Sequence, residues 1–90
     1  MVEKEKEKWL EVITAGLPLG YSEGDYQGRR YGITKSAFSN GKSFKVYAEE
    51  LGGKEFISLN LYLTNEGAVL KPCEMPEQKV KSFLNEMRQR

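Results

Sequence analysis

The sequence predicts an α+β domain in which an antiparallel four-stranded meander is combined with two helices, in the order α-β-β-β-β-α. Two observations predict it: turn dipeptides separate alternating apolar runs in the middle of the chain, and apolar residues recur at helical spacing at both ends. The chain has 90 residues, which suffices for one hydrophobic core. We therefore expect a single domain over residues 1–90.

The first helix is predicted over residues 4–15. Apolar residues three and four positions apart mark one helical face: Trp9, Leu10, Ile13 and Leu17. Gly16, followed by Leu17-Pro18, favours a helix end, because glycine tolerates the left-handed cap and proline cannot continue the helix. The Glu/Lys alternation before Trp9 is interpreted as charged first turns, with residues 1–8 frayed.

Residues 18–29 contain several glycines and Pro18, so we expect a loop or a short irregular strand. A turn at Gln27-Gly28 is expected to end this segment. The first regular strand of the predicted meander follows it.

The central hairpins have the clearest turn signals. Asn40-Gly41 is the strongest, because both residue types tolerate positive φ. It predicts the pairs Ala37–Phe44, Lys35–Val46 and Ile33–Ala48. A second turn at Gly52-Gly53 predicts the pairs Ala48–Ile57, Val46–Leu59 and Phe44–Leu61. The two turns, placed independently, give the middle strand the same apolar face, and a shift of one residue would invert that face.

Lys35 is the one charged residue on the predicted apolar face. We expect it near an open edge, with its aliphatic stem packed and its ammonium group in water. A fourth strand, Ala68-Val69-Leu70, is predicted after the turn at residues 65–67.

The C-terminal helix is predicted to begin at Pro76, which suits a first helical position, and Glu77 favours the positive end of the helix dipole. Its apolar residues follow the i, i+3, i+4, i+7 pattern: Val80, Phe83, Leu84 and Met87. Arg88 and Arg90 would complement the negative end. This helix is expected to pack across the apolar sheet face, with the first helix at an edge or beside it.

Composition excludes several kinds of active site. The chain has no histidine and one cysteine, so it lacks the residues for Ser-His-Asp or Cys-His catalysis, for common zinc sites and for an internal disulfide. No cofactor or metal is expected. The absence of a signal-like or membrane-spanning apolar run, together with a lone thiol, predicts a soluble, cytoplasmic protein without a membrane partner.

The second face of the predicted sheet is the leading candidate site. It carries basic residues beside aromatic rings, and five of its residues are proposed to contact a ligand: Arg30, Lys45, Tyr47, Asn60 and Tyr62. Such a face can hold an anionic ligand or single-stranded nucleic acid by stacking and phosphate attraction. The alternative is a structural face, on which the aromatic rings form cross-strand pairs or are covered by the Trp9 helix. The first interpretation predicts a non-enzymatic binding module.

Two other functions remain open. Cys73 lies shortly before a helix start and two residues from Lys71, both of which favour a reactive thiolate, so a thiol-dependent redox protein is one alternative. The simpler interpretation of Cys73 is a buried thiol with a structural role. The other alternative is a homodimer formed through an open edge strand, so the chain is expected to be a monomer or a homodimer.

Four segments resemble a group of short bacterial proteins of unknown function, over about residues 19–88. They are Arg30–Lys35, Lys45–Gly53, Leu59–Tyr62 and Leu70–Pro76. Some members are labelled peptide methionine sulfoxide reductase, an enzyme class with a Gly-Cys-Phe-Trp motif or zinc-cysteine pairs and a second thiol, neither of which is present here. The resemblance therefore implies a bacterial domain without assigned catalytic residues. Cys73 lies within the shared Lys-Pro-Cys-Glu-Met-Pro string.

Overall fold

A six-stranded antiparallel sheet with helices on one face forms the fold in the computed structural model, which describes residues 8–90. The predicted α+β class and the packing of the C-terminal helix on the sheet are confirmed. The strand number is six instead of four, because a strand precedes the meander and a short strand follows the last helix. Residues 4–7 of the predicted first helix lie outside the described residues.

The elements in chain order have the following bounds: α1 (Trp9–Glu11), a π-helical segment (Val12–Gly16), β1 (Gly20–Tyr26), β2 (Arg29–Phe38), a 3-10 turn (Ser39–Gly41), β3 (Ser43–Glu50), β4 (Phe56–Thr64), β5 (Gly67–Pro72), α2 (Glu77–Glu86) and β6 (Arg88–Gln89). The strand order in the sheet is β5-β4-β3-β2-β1-β6. Neighbouring strands are therefore also neighbours in sequence, except for β6, which returns to pair with β1.

The predicted register of the central hairpins is confirmed. Ala37 pairs with Phe44 and Ile33 with Ala48 across β2 and β3, and β3 pairs with β4 as the second turn predicts. Asn40 adopts φ 56° and Gly41 φ 85°, the positive values for which these residue types are suited. The predicted apolar face forms the core, with its β3 and β4 members nearly inaccessible: Val46, Ala48, Ile57, Leu59 and Leu61.

The prediction of a loop or short irregular strand at residues 18–29 is wrong, because β1 is a regular seven-residue strand that pairs with β2 along its full length. The apolar alternation that marks a strand is weak, since glycine or serine occupies the core-facing positions of β1 before Tyr26, the one core-facing residue of this strand with a large side chain. Neighbouring side chains fill the space instead. A Cβ atom on Gly24 would lie 3.3 Å from both the Ile33 side chain and the Met87 sulfur. The predicted turn at Gln27-Gly28 is confirmed, with φ values of 53° and 77°.

The C-terminal end differs from the prediction after Glu86. The helix buries Val80, Phe83 and Leu84 as expected, but it ends at Glu86. Arg88 therefore does not complement the helix dipole; it lies in β6, where it pairs with Asp25 of β1. Arg90 also contacts Asp25, with its Nε 3.2 Å from a carboxylate oxygen.

Lys35 is buried, so its predicted place at an open edge with the ammonium group in water is wrong. The side chain is 5% exposed, and its Nζ donates to the carbonyl oxygens of Leu17 at 2.9 Å and Thr14 at 3.5 Å. These carbonyls belong to the end of the N-terminal helical segment, where backbone acceptors lack intrahelical donors. Lys35 thus caps that segment and fixes it on the same sheet face as α2.

Candidate functional site

The sheet face opposite the helices is called the open face here. No element within residues 8–90 packs over it, because Ile13 and Leu17 direct the N-terminal helical segment into the core on the other side. On β2 to β5 the residues of the open face come from alternate positions of each strand: Arg30, Thr34, Ser36 and Phe38 of β2; Lys45, Tyr47 and Glu49 of β3; Phe56, Ser58, Asn60 and Tyr62 of β4; Val69 and Lys71 of β5. All five residues that the sequence analysis proposes as ligand contacts lie on this face.

A row of three side chains crosses the middle of the open face. Asn60 pairs with Lys45 on one side and with Lys71 on the other. Two strand spacings separate the lysines, or about 10 Å between their Cα atoms. Both are exposed, and neither forms an ion pair with another described residue. We call these three residues the cation row.

Aromatic rings lie on both sides of the cation row. Tyr62 is two residues from Asn60 along β4, and Tyr47 is two residues from Lys45 along β3, so each lies about 7 Å along its strand from the row. Tyr47 stacks on Phe56 with ring centroids 6.1 Å apart. Tyr47 and Tyr62 remain 40% and 42% exposed. Both rings are therefore partly exposed to solvent on this face of the sheet.

Arg30 does not join this group. It lies six residues along β2 from Ser36, the partner of Lys45, which places it about 20 Å from the cation row. Its Nη1 is 3.8 Å from Glu23, and Asp25 is its strand partner. The prediction that Arg30 shares a site with Lys45 and Tyr62 is therefore not supported by their placement.

The two ends of the open face differ in charge. Glu23, Asp25 and Glu49 all lie at the Arg30 end. At that end Tyr21 donates a hydrogen bond to Glu23 at 2.9 Å, and this bond raises the pKa of the tyrosine. The cation row and the rows immediately beside it contain no acidic residue on the described strands. The unpaired positive charge is thus confined to the end that carries Tyr47 and Tyr62.

Cys73 borders the cation row. Its thiol sulfur is 3.5 Å from the Asn60 amide nitrogen, which donates to it, and its backbone N–H donates to the Ser58 carbonyl at 2.9 Å. The side chain is partly exposed. Cys73 and the ligand-binding face are separate candidates in the sequence analysis, and the structure places them side by side.

Lys71 is the main residue of this site that sequence reasoning missed. The β4–β5 register brings it to Asn60, but only the existence of a fourth strand was predicted. The turn at Asn65-Glu66 contains the necessary signal, since a two-residue loop there pairs Thr64 with Gly67 and hence Asn60 with Lys71.

Comparison with family models, curated proteins and solved structures yields no match. Within residues 8–90 no three His, Cys, Asp or Glu side chains are grouped as metal ligands. The same residues include no helix with the length and apolar character needed to cross a membrane.

Proposed function

We propose that this domain is a non-catalytic binding module that holds single-stranded nucleic acid on its open face. The observation that carries the proposal is the cation row with partly exposed aromatic rings on both sides. Lys45 and Lys71 would attract phosphates, and Asn60 between them would supply hydrogen bonds. Tyr62 on one side and Tyr47 on the other would stack on bases, which is the usual combination in sequence-tolerant single-strand binding.

Charge complementarity favours this ligand over an uncharged protein surface. Two unpaired lysines in a region without carboxylates form a local positive patch, although the whole chain has a formal net charge of only +1. A polyanion with flat rings can place negative charge at the lysines and stack its rings on the tyrosines. The lone thiol, Cys73, is consistent with a cytoplasmic location, which we include in the proposal.

The test is the binding of a fluorescein-labelled mixed-sequence 12-nucleotide DNA, followed by anisotropy over a range of salt concentrations. The double variant Lys45→Ala/Lys71→Ala removes two phosphate contacts, so the slope of log K against log salt should become shallower by about 1.4. The matched control is Lys8→Ala/Lys54→Ala, which removes the same charge elsewhere and should retain the wild-type slope.

Stacking is tested separately. Tyr62→Leu and Tyr47→Leu should each weaken binding by about 1–3 kcal/mol, because each removes one stacking platform. Backbone amide NMR should map the oligonucleotide to residues 43–47, 58–62 and 69–73. Undiminished binding by the Lys45/Lys71 variant, or shifts confined to the helix side, would overturn the proposal; saturable binding of a protein but not of the oligonucleotide would also count against it.

A further inference from the structure

A pocket of about 380 Å³ lies on the helix side of the sheet, where the β1–β2 turn, the start of β4 and the first turn of α2 meet. Tyr31 and Ile57 provide its apolar lining, and Arg29, Glu55 and Lys79 provide its charged lining. The volume is at the lower end of the range for small-molecule sites. The pocket is on the opposite side of the sheet from the cation row, so its role is independent of nucleic-acid binding.

The Tyr31 hydroxyl has no hydrogen-bond partner among residues 8–90, although the residue is only 4% exposed. Its ring is fixed by edge-to-face contact with Phe83, with centroids 5.1 Å apart. Burial raises the pKa of this phenol, and the charges of Glu50 and Glu55 raise it further. The hydroxyl is therefore a protonated donor near the charged groups of the pocket. Ser22 Oγ is the one fully buried side-chain oxygen or nitrogen without a partner among residues 8–90, so solvent reaches the Tyr31 hydroxyl. Tyr31 lines the pocket, and its hydroxyl is therefore available to a ligand there.

The charged groups around the pocket form two ion pairs. Arg29 Nη1 is 3.4 Å from a Glu50 carboxylate oxygen, and Lys79 Nζ is 3.1 Å from a Glu55 carboxylate oxygen. The Glu55 backbone N–H also donates to the Glu50 carboxylate at 3.3 Å, so Glu50 lies against the backbone just before β4. A simple anion would be repelled by these carboxylates and a simple cation by Arg29 and Lys79. A molecule with both charges meets a partner for each.

We infer that this pocket binds a small zwitterion of the free α-amino-acid type with an apolar side chain. The carboxylate accepts hydrogen bonds from Tyr31 and Arg29, and the ammonium group donates to Glu55. The apolar side chain contacts Ile57 and the Tyr31 ring. Burial of that side chain and the paired charges together supply the recognition.

The experiment uses L-phenylalanine as the probe, with two compounds that each lack one charge. The ¹⁵N-labelled protein is titrated with L-phenylalanine, 3-phenylpropanoate or 2-phenylethylamine, and amide shifts are recorded. L-Phenylalanine should shift amides in residues 27–31 and 55–57 and at Lys79. Each control compound should bind about tenfold more weakly. 3-Phenylpropanoate lacks the ammonium group that would contact Glu55, and 2-phenylethylamine lacks the carboxylate that would contact Tyr31 and Arg29.

Tyr31→Phe tests the hydroxyl while keeping the ring that packs against Phe83. It should weaken L-phenylalanine binding about fivefold to tenfold, whereas the matched variant Tyr62→Phe on the open face should bind as the wild type does. An unchanged amide spectrum outside the pocket shows that the variant is folded. The inference is overturned if L-phenylalanine shifts no pocket amide, if all three compounds bind equally, or if Tyr31→Phe binds with wild-type affinity.

Discussion

Replacement of Lys35 by methionine tests how the N-terminal helical segment is fixed to the sheet. Methionine keeps an unbranched stem of similar length but removes the ammonium group. That group donates to the Leu17 carbonyl at 2.9 Å and lies 5.2 Å from the centroid of the Phe44 ring. The variant therefore removes the cap and the cation–π contact and leaves the packing of the stem in place.

The expected magnitude is a balance of opposing effects. Leaving the buried carbonyls of Leu17 and Thr14 without a donor costs about 1–3 kcal/mol. The variant also removes the desolvation penalty of the buried ammonium group, and this offsets part of the loss. We expect a net loss of about 1–2 kcal/mol in the free energy of unfolding at pH 7, which corresponds to a fall in Tm of roughly 5–15 °C for a domain of this size.

The stability difference between wild type and Lys35→Met depends on pH. Burial lowers the pKa of Lys35 below its ordinary value of 10.5. Between the lowered pKa and 10.5 the unfolded chain binds more protons than the folded chain, so the wild type gains stability as pH rises through this range. This gain is lost again as pH falls through the lowered pKa, and it adds to the pH-independent contribution of the cap. The stability difference between wild type and Lys35→Met should therefore widen as pH approaches 10.5. Tyrosines whose pKa is raised occur in both proteins and cancel in the difference.

Urea unfolding followed by tryptophan fluorescence measures these differences, since Trp9 packs against the core next to the affected segment. Lys45→Met on the open face is the control and should change stability by less than about 0.5 kcal/mol. If Lys35→Met is as stable as wild type at pH 7, the capping role is wrong. A difference that narrows toward pH 10.5 would contradict the lowered pKa of Lys35.

Three further predictions concern Cys73, the β1–β6 contact and assembly. Attaching glutathione to Cys73 should weaken oligonucleotide binding at least about tenfold, because the adduct would lie beside Asn60 in the cation row. The rate at which Cys73 of the folded protein reacts with a mild disulfide reagent decides whether this thiol is reactive. Gly24→Ala should lower the free energy of unfolding by about 1–3 kcal/mol and weaken the pairing of β6, because the new Cβ would lie 3.0 Å from the Arg88 carbonyl oxygen. The pairing is measured by hydrogen exchange of the Arg90 amide, which donates to the Glu23 carbonyl. Unchanged protection of that amide would contradict the prediction. Lys71 and Pro72 disfavour pairing along the outer edge of β5, so sedimentation should give a monomer mass. A dimer mass would support assembly through an edge strand.

The central sheet and its two faces are determined by the sequence alone. Turn residues and the alternation of apolar side chains are local signals, and two neighbouring hairpins constrain the same middle strand. Register errors would expose Phe44 and Val46, so these signals agree only in the observed arrangement. The five predicted ligand-binding residues therefore lie on the predicted face.

Only the tertiary structure decided which of those residues are close together and what covers the other face. Contacts between residues far apart in sequence leave no local pattern: β6 pairs with β1 across more than sixty residues, and Lys35 caps a segment about twenty residues earlier. The same is true of the cation row, which depends on the β4–β5 register, and of Arg30, whose distance from it follows from its position along β2. Short-range propensity selects strands and turns, whereas the partners of a buried charge or of an edge strand are selected by the packing of the whole chain.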